Sequence, residues 1–137
     1  TWPLRFSYTW TDAEVTEDSE TRNVLEGDTL ADIPEQVAAL SLGVVHPSGW
    51  DSYLNASYYD QTCSTYTCDR AGVDDRFLRT DDLFLVDWTA SYRLFEGLRV
   101  YAKLNNVFDE QVIVSRKPDG ARANMPRTAY LGADWSF

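Results

Sequence analysis

Six segments of this sequence alternate apolar and polar side chains with a period of two residues. They lie at about 3–12, 36–46, 50–60, 83–94, 97–108 and 127–137. This period is typical of β-strands, because successive side chains of a strand point to opposite faces of a sheet. The 3.6-residue period of an amphipathic helix does not compete with it anywhere. The sequence therefore predicts an all-β, antiparallel fold built from six strands.

The charged side chains in the interiors of these six segments all occupy the polar positions of the alternation. They are Arg5, Asp51, Asp87, Arg93, Arg99, Lys103 and Asp134. One face of each predicted strand is therefore uncharged. The sequence contains neither an amphipathic helix nor a second set of strands that would cover this face. We therefore expect lipid to cover this face, because transmembrane barrels direct an apolar face outward and a polar face inward.

Long and short connections alternate along the chain. Stretches of roughly 23, 22 and 18 residues follow the first, third and fifth predicted strands, whereas tight turns at 47–49 and near Gly97 follow the second and fourth. All long loops would consequently lie at one end of the sheet. Bacterial outer-membrane barrels have this asymmetry, with long extracellular loops and short periplasmic turns.

The composition excludes some partners and some membrane topologies. A formal net charge of −10 argues against a nucleic-acid partner, since nucleic acids bind basic surfaces. No run of about 18 apolar residues is present, so the sequence holds no candidate transmembrane helix. The opening TWPLRFSY lacks the basic head and apolar centre of a signal peptide and already matches a strand. We therefore expect the chain to be a piece of a longer protein.

Several motifs resemble those of TonB-dependent outer-membrane receptors. The segment VYAKLNNVFDEQ, which contains Asn105 to Asp109, is similar to the Asn-Asn-Leu-Phe-Asp signature near the end of that family. The tail SRKPDGARANMPRTAYLGADWSF resembles the family's last strand, which a Pro-Arg or Gly-Arg pair opens and a terminal Phe closes. The pattern from Arg116 to Arg122 most resembles receptors of the ferric dicitrate type. Upstream, GDTLADIPEQVAALSLG is similar to the family's approach to a strand.

The resemblance implies an antiparallel transmembrane β-barrel of about 22 strands, plugged by an N-terminal domain. Residues 1–137 would be the C-terminal segment of that barrel, with about six strands and without the plug and the earlier strands. The implied function is import of an iron chelate, such as a ferric siderophore or a ferric citrate-like complex, across the bacterial outer membrane. The TonB complex would supply the energy and would be contacted through the missing N-terminal part.

Further partners implied by the resemblance are the rest of the barrel and plug, the ferric chelate, and outer-membrane lipid with lipopolysaccharide. No nucleic acid is expected, and the chain is not expected to be an enzyme. Two alternatives stay open. A passive porin-like or autotransporter barrel would have the same strands without a plug or a TonB-contacting segment. A soluble β-sandwich binding module would need a polar surface where the apolar face lies.

Aromatic side chains at the tight-turn end are predicted to form the periplasmic girdle of the barrel, where rings of aromatic residues are favoured. They are Trp50, Phe95, Trp135 and Phe137. A matching outer belt would contain Tyr8, Trp10, Tyr58, Phe84 and Phe108.

The two cysteines, Cys63 and Cys68, belong to the second long loop. A loop outside the cell lies in an oxidising compartment, which favours a disulfide. Free or metal-bound thiols are the alternative. A metal site would need two further ligands, and the only histidine, His46, belongs to the opposite end of the sheet. We therefore predict a Cys63–Cys68 disulfide and no metal or cofactor.

Basic residues cluster in the third long loop, unlike the rest of the chain. Arg116, Lys117 and Arg122 are predicted to contact the ligand, with Arg127 nearby. Guanidinium groups suit the carboxylates of an iron–citrate or similar complex, because they form charge-assisted hydrogen bonds with them. The alternative is that these cations pair with the acidic loops or with lipopolysaccharide phosphates.

Two other features have ordinary explanations. His46 precedes Pro47 at a tight turn, and no Ser or Asp is placed with it in a catalytic pattern. The acidic first loop lacks the regular spacing and central glycine of a calcium-binding loop, which favours a solvated face.

Overall fold

Six strands of the chain form one antiparallel sheet. The structure is a computed structural model that describes residues 1–136, so the expectations for Phe137 lie outside the described residues. The sheet contains β1 (Leu4–Trp10), β2 (Gln36–Val45), β3 (Trp50–Tyr59), β4 (Leu83–Phe95), β5 (Leu98–Asn105) and β8 (Thr128–Trp135). Its strand order is β1-β2-β3-β4-β5-β8. The predicted all-β antiparallel fold is confirmed.

The smaller elements lie in the long connections. A 3-10 helix spans Glu20–Arg22, and a separate two-stranded sheet pairs β6 (Ile113–Ser115) with β7 (Arg122–Ala123). Sequence periodicity did not identify these elements, because two or three residues are too few to show an alternation. Among the described residues, no helix is long and apolar enough to cross a membrane.

The strand register places the apolar residues of all six strands on one face. One continuous row across the sheet shows this, since residues paired across antiparallel strands share a face. From β1 to β8 the row consists of Leu4, Leu42, Leu54, Trp88, Leu104 and Ala129. The neighbouring row on the opposite face begins Arg5, Ser41, Asn55, Asp87. The predicted alternation therefore holds across the whole sheet, which has an apolar face and a polar face.

Nothing in the described chain covers the apolar face. Leu131 is 88% exposed, Trp135 73% and Leu4 67%. Among residues 1–136, no large side chain is fully buried, and the second sheet has only five residues. A soluble sandwich would bury such side chains between two layers. The sheet instead carries large apolar side chains on an open surface, as a lipid-facing sheet does.

Both edges of the sheet are unpaired within the described residues. β1 bonds only to β2, and β8 bonds only to β5. Open edges in a membrane leave backbone N–H and C=O groups without partners, which lipid cannot supply. Further strands along both edges would satisfy these groups.

The connections alternate in length as predicted. At one end, tight turns join β2 to β3 and β4 to β5, with Gly49 and Gly97 at φ of 90° and 86°, a region that favours glycine. At the other end lie three long connections, here called loop A (11–35), loop B (60–82) and loop C (106–127). The three loops share one end of the sheet, called the outer end below.

Candidate functional site

Loops A and B are joined by a partly buried ion pair. The Arg70 guanidinium binds the Asp28 carboxylate through two bonds, Nε to Oδ1 at 2.9 Å and Nη2 to Oδ2 at 2.6 Å. Arg70 also donates to the carbonyl of Asn23 at 2.9 Å. The hydrogen bond from Arg70, and then the backbone N–H of Leu25, lower the pKa of Asp28 to about 2. Asp28 is 7% exposed, so this contact fixes loop A against loop B.

Loop C is held against both other loops by residues that were predicted to bind the ligand. The Lys117 ammonium pairs with the Asp32 carboxylate of loop A. The Arg116 guanidinium donates to the backbone carbonyl of Arg79, and at 3.3 Å to that of Arg76, both in loop B. Lys117 therefore follows the alternative prediction from the sequence, in which the basic residues pair with the acidic loops. The ligand-binding role of both residues stays a prediction.

The third predicted ligand residue, Arg122, has a different environment. It lies on β7 and is exposed. Among the described residues, no hydrogen-bond or ion-pair partner of its guanidinium is present. Arg127 anchors loop C, because its N–H donates to Asp109 at 2.8 Å and its Nη1 donates to the carbonyl of Val107 at 3.3 Å. The basic cluster is thus divided among several contacts.

The two cysteines lie together inside loop B. Both are 4% exposed, and the structure holds them as unbonded thiols. Burial, followed by the hydrogen bond with Cys68, raises the pKa of Cys63 to about 12. The Cys63 carbonyl accepts the N–H of Asp32 at 2.7 Å, which links this part of loop B to loop A. The two side chains are adjacent, as a disulfide would require, and the disulfide stays a prediction.

A groove of about 430 Å³ lies where the three loops meet the outer ends of β3 and β4. Tyr59 and Leu83, which pair across β3 and β4, form its floor on the polar face of the sheet. The walls carry carboxylates, hydroxyls and one ammonium group. They consist of Asp32, Pro34, Asp60, Thr62, Thr80, Asp81, Val114, Ser115 and Lys117. We call this cavity the outer groove, and it is the candidate ligand site of the chain.

Sequence reasoning missed most of the outer groove. Asp60 and Asp81 are acidic residues next to strand ends, and in the sequence they resemble any solvated loop charge. Their position immediately after β3 and shortly before β4 was the available signal. Only the pairing of those strands brings them to one cavity.

Asn106, in the motif that carries the family resemblance, organises the start of the last strand. It is 3% exposed, and its side chain donates to the carbonyls of Glu110 at 2.8 Å and Met125 at 3.0 Å. Its Oδ1 accepts the N–H of Glu110 at 2.9 Å, and its own N–H donates to Asp87 at 2.8 Å. This network closes the base of loop C and places β8 beside β5.

The tight-turn end carries the predicted girdle residues. Trp50, Phe95 and Trp135 are 38%, 58% and 73% exposed there, and Trp50 and Trp135 fall on the apolar face. His46 stacks on Trp50 with ring centroids 5.6 Å apart, and its Nδ1 lies 2.7 Å from the Ser48 hydroxyl. His46 is thus a turn residue. The girdle role stays a prediction, and Phe137 lies outside the described residues.

The polar face at this end carries its own charge network. Asp51 accepts hydrogen bonds from the Ser91 hydroxyl at 2.7 Å and from Arg99 at 2.5 Å. These residues lie on three adjacent strands, and the charges of Asp51 and Arg99 neutralise each other on the polar face. Within residues 1–136, no group of three or more His, Cys, Asp or Glu side chains is arranged to hold a metal ion.

Comparison with known proteins identifies the architecture. The family model described as TonB dependent receptor-like, beta-barrel, matches residues 1–107. No curated protein sequence matches the chain. The solved structures that resemble it include the unliganded ferric citrate transporter FecA, with 20% identity, a TM-score of 0.79, and coverage of 97% of this chain and 21% of FecA.

Two further structures show the same relationship. The closed form of the ferric-catecholate import receptor Fiu from E. coli K12 has 18% identity and a TM-score of 0.77, covering 99% of this chain and 19% of Fiu. The siderophore receptor PiuA from Acinetobacter baumannii has 17% identity and a TM-score of 0.75, covering 98% of this chain and 19% of PiuA. The chain thus spans about a fifth of the length of these proteins.

Proposed function

Because the chain belongs to the TonB-dependent receptor-like β-barrel family, we propose that it is the C-terminal segment of an outer-membrane receptor that imports a ferric chelate with energy from the TonB complex. Membership in a family of receptors agrees with the expectation that the chain is not an enzyme. The proposed substrate class is supported by the structural relatives named above, which are a ferric citrate transporter, a ferric-catecholate import receptor and a siderophore receptor.

One structural observation supports the proposal independently of the relatives. The sheet has an uncovered apolar face, a polar face with charge networks, and a groove formed by three interlocked loops at the outer end of the polar face. A lipid-facing surface beside a water-facing lumen explains the two faces. The outer groove would then open on the lumen where a ligand arrives from outside the cell.

The remaining partners follow from the same placement. The rest of the barrel would pair with the open edges of β1 and β8, and the plug would lie against the polar face. Lipid would cover the apolar face, and lipopolysaccharide would surround the loops. The TonB complex would be contacted through a part of the receptor outside this chain.

A passive porin-like or autotransporter barrel is the competing function, and transport energetics separate the two. The test uses the complete receptor that contains this chain, produced in cells that lack other ferric receptors. Uptake of iron-labelled chelates is measured with and without a functional TonB complex. Uptake that requires TonB supports the proposal. Uptake at the same rate in both strains, or pore conductance without a ligand, would show a passive barrel instead.

A further inference from the structure

The net charge of the chain is confined to its outer loops. Loops A, B and C contain 18 of the 22 acidic residues and 8 of the 12 basic residues, so they account for the whole net charge of −10. The strands and tight turns contain four acidic and four basic residues and are neutral overall. Loop A contributes most, with nine acidic residues and one arginine.

Four of the eight basic side chains in the loops are paired with loop carboxylates. Arg70 binds Asp28, Arg76 binds Asp74 at 2.6 Å, and Arg79 binds Asp69 and Asp75. Lys117 binds Asp32, and Arg116 is directed to backbone carbonyls. A ligand carboxylate would therefore have to compete with these contacts for most of the basic side chains in the loops.

The outer groove keeps carboxylates without cationic partners. Asp60 and Asp81 both line it, and among the described side chains no Lys or Arg nitrogen lies within 4 Å of either carboxylate. Asp60 accepts the N–H of Gln61 at 2.9 Å, and Asp81 accepts the N–H of Ile113 at 2.7 Å. Both carboxylates are thus held in place by backbone groups. The only cation in the described wall, Lys117, is already paired with Asp32.

We propose that the outer groove receives a neutral or positively charged ferric chelate and discriminates against polyanionic ones such as ferric citrate. This inference rests on the proposed function and specifies its substrate class. A cleft with one sign of charge concentrates ligands of the opposite sign and repels those of its own. Charge interactions act over about 8 Å at physiological ionic strength. A ligand inside the groove is therefore affected mainly by the groove carboxylates and less by more distant charges.

The first experiment determines which charge class the receptor carries. Cells that produce the complete receptor and no other ferric receptor are grown on limiting iron with one of four chelates. These are a neutral ferric trihydroxamate, a trihydroxamate bearing an ammonium group, ferric citrate, and a triply negative ferric tris-catecholate. We expect growth with one or both trihydroxamates, and binding of the purified receptor at least about tenfold tighter than for either anionic chelate. Tighter binding of ferric citrate or the tris-catecholate would overturn the inference while leaving the proposed function intact.

Variants of the receptor then test whether Asp60 and Asp81 are the residues that select chelates by charge. Asp60→Asn with Asp81→Asn keeps both backbone hydrogen bonds and removes two negative charges from the groove. It should weaken binding of the ammonium-bearing chelate about fivefold to tenfold at low salt, and less at high salt, because screening reduces the charge interaction. The control Glu96→Gln removes one charge at the tight-turn end and should have no effect.

The outcomes separate the two proposals. Unchanged binding of all chelates in the double variant would mean that the groove does not select by charge, which overturns the inference. Failure of all four chelates to support growth, in cells where a different ferric receptor restores it, would overturn the proposed function and the inference with it.

Discussion

The indole N–H of Trp88 donates a hydrogen bond of 2.9 Å to the hydroxyl of Ser52 on the apolar face of the sheet. On the lipid-facing surface proposed above, the two polar groups would satisfy each other where lipid offers no partner. Ser52→Ala should leave the indole N–H unpaired and lower the free energy of unfolding by about 1–3 kcal/mol. The measurement is a urea refolding titration of the complete barrel in lipid vesicles. Ser57→Ala, on the polar face, is the control and should change little.

The two faces are tested by neighbouring arginine substitutions. Leu54 lies on the apolar face and Asn55 on the polar face, where Asn55 pairs across strands with Asp87. Leu54→Arg should cost about 2–4 kcal/mol near the middle of the bilayer, whereas Asn55→Arg gains a carboxylate neighbour and should cost much less. The same refolding titration compares them. Equal losses at the two positions would contradict the assignment of the faces.

The Asp28–Arg70 contact predicts a pH dependence of the loops. The pKa of Asp28 is lowered from 3.8 to about 2 in the folded chain, so its contribution is fully present above about pH 4. It is lost as pH falls toward 2, because the carboxylate then binds a proton while Arg70 stays charged. Hydrogen exchange at Leu25, corrected for intrinsic rates, should accelerate over that range.

Substitution gives the same test at neutral pH. Asp28→Asn should loosen loops A and B at pH 7, and exchange at Leu25 should then no longer change between pH 4 and 2. Asp74→Asn removes a comparable but largely exposed pair with Arg76 and should leave the exchange unaltered. If both variants behave alike, the buried contact does not hold the loops together.

Two adjacent asparagines should respond very differently to truncation. Asn106→Ala removes three side-chain hydrogen bonds in a buried site and should cost at least about 2 kcal/mol. Asn105 has one bond of 3.5 Å to Thr128, and its Oδ1 has no described partner. Asn105→Ala should therefore cost under about 1 kcal/mol. Thermal unfolding of the complete receptor measures both, and a larger loss for Asn105 would contradict the assigned role.

The disulfide prediction is tested chemically. Protein extracted from the outer membrane without reductant should yield a linked Cys63–Cys68 peptide by mass spectrometry. The closed ring is short, so reduction should change the global stability only modestly. Two thiols that react with an alkylating agent after unfolding, without prior reduction, would refute the bond.

The strands could be predicted from the sequence because their signal is local. Alternation over about ten residues fixes which side chains share a face, and the resulting strands Gln36–Val45 and Trp50–Tyr59 match the predictions at 36–46 and 50–60 closely. The two tight turns also predicted which strand pairs are joined by short connections, β2 with β3 and β4 with β5. β6 and β7 were missed, since a three-residue strand has no measurable period.

The candidate site was much less predictable, because its residues are distant in sequence. Asp28 and Arg70 are 42 positions apart, and Lys117 and Asp32 are 85 apart. The sequence showed that loop C was basic and loop A acidic, yet it did not decide whether those charges would meet each other or a ligand. The structure shows that Lys117 of loop C pairs with Asp32 of loop A. The role of Asn106 was visible only as part of a familiar motif.

The confinement of charge to the outer loops also bears on how such a sheet enters a membrane. In the outer-membrane receptor proposed above, insertion from the periplasm would move 18 carboxylates in three loops across the bilayer, whereas the tight turns would stay on the side of origin. Ionised side chains are expensive at the bilayer centre, and pairing within the loops neutralises only part of them. Each hairpin would therefore need a hydrated passage while its loop crosses. Once across, the same carboxylates would oppose the return of the loops, so the charge pattern would make assembly directional.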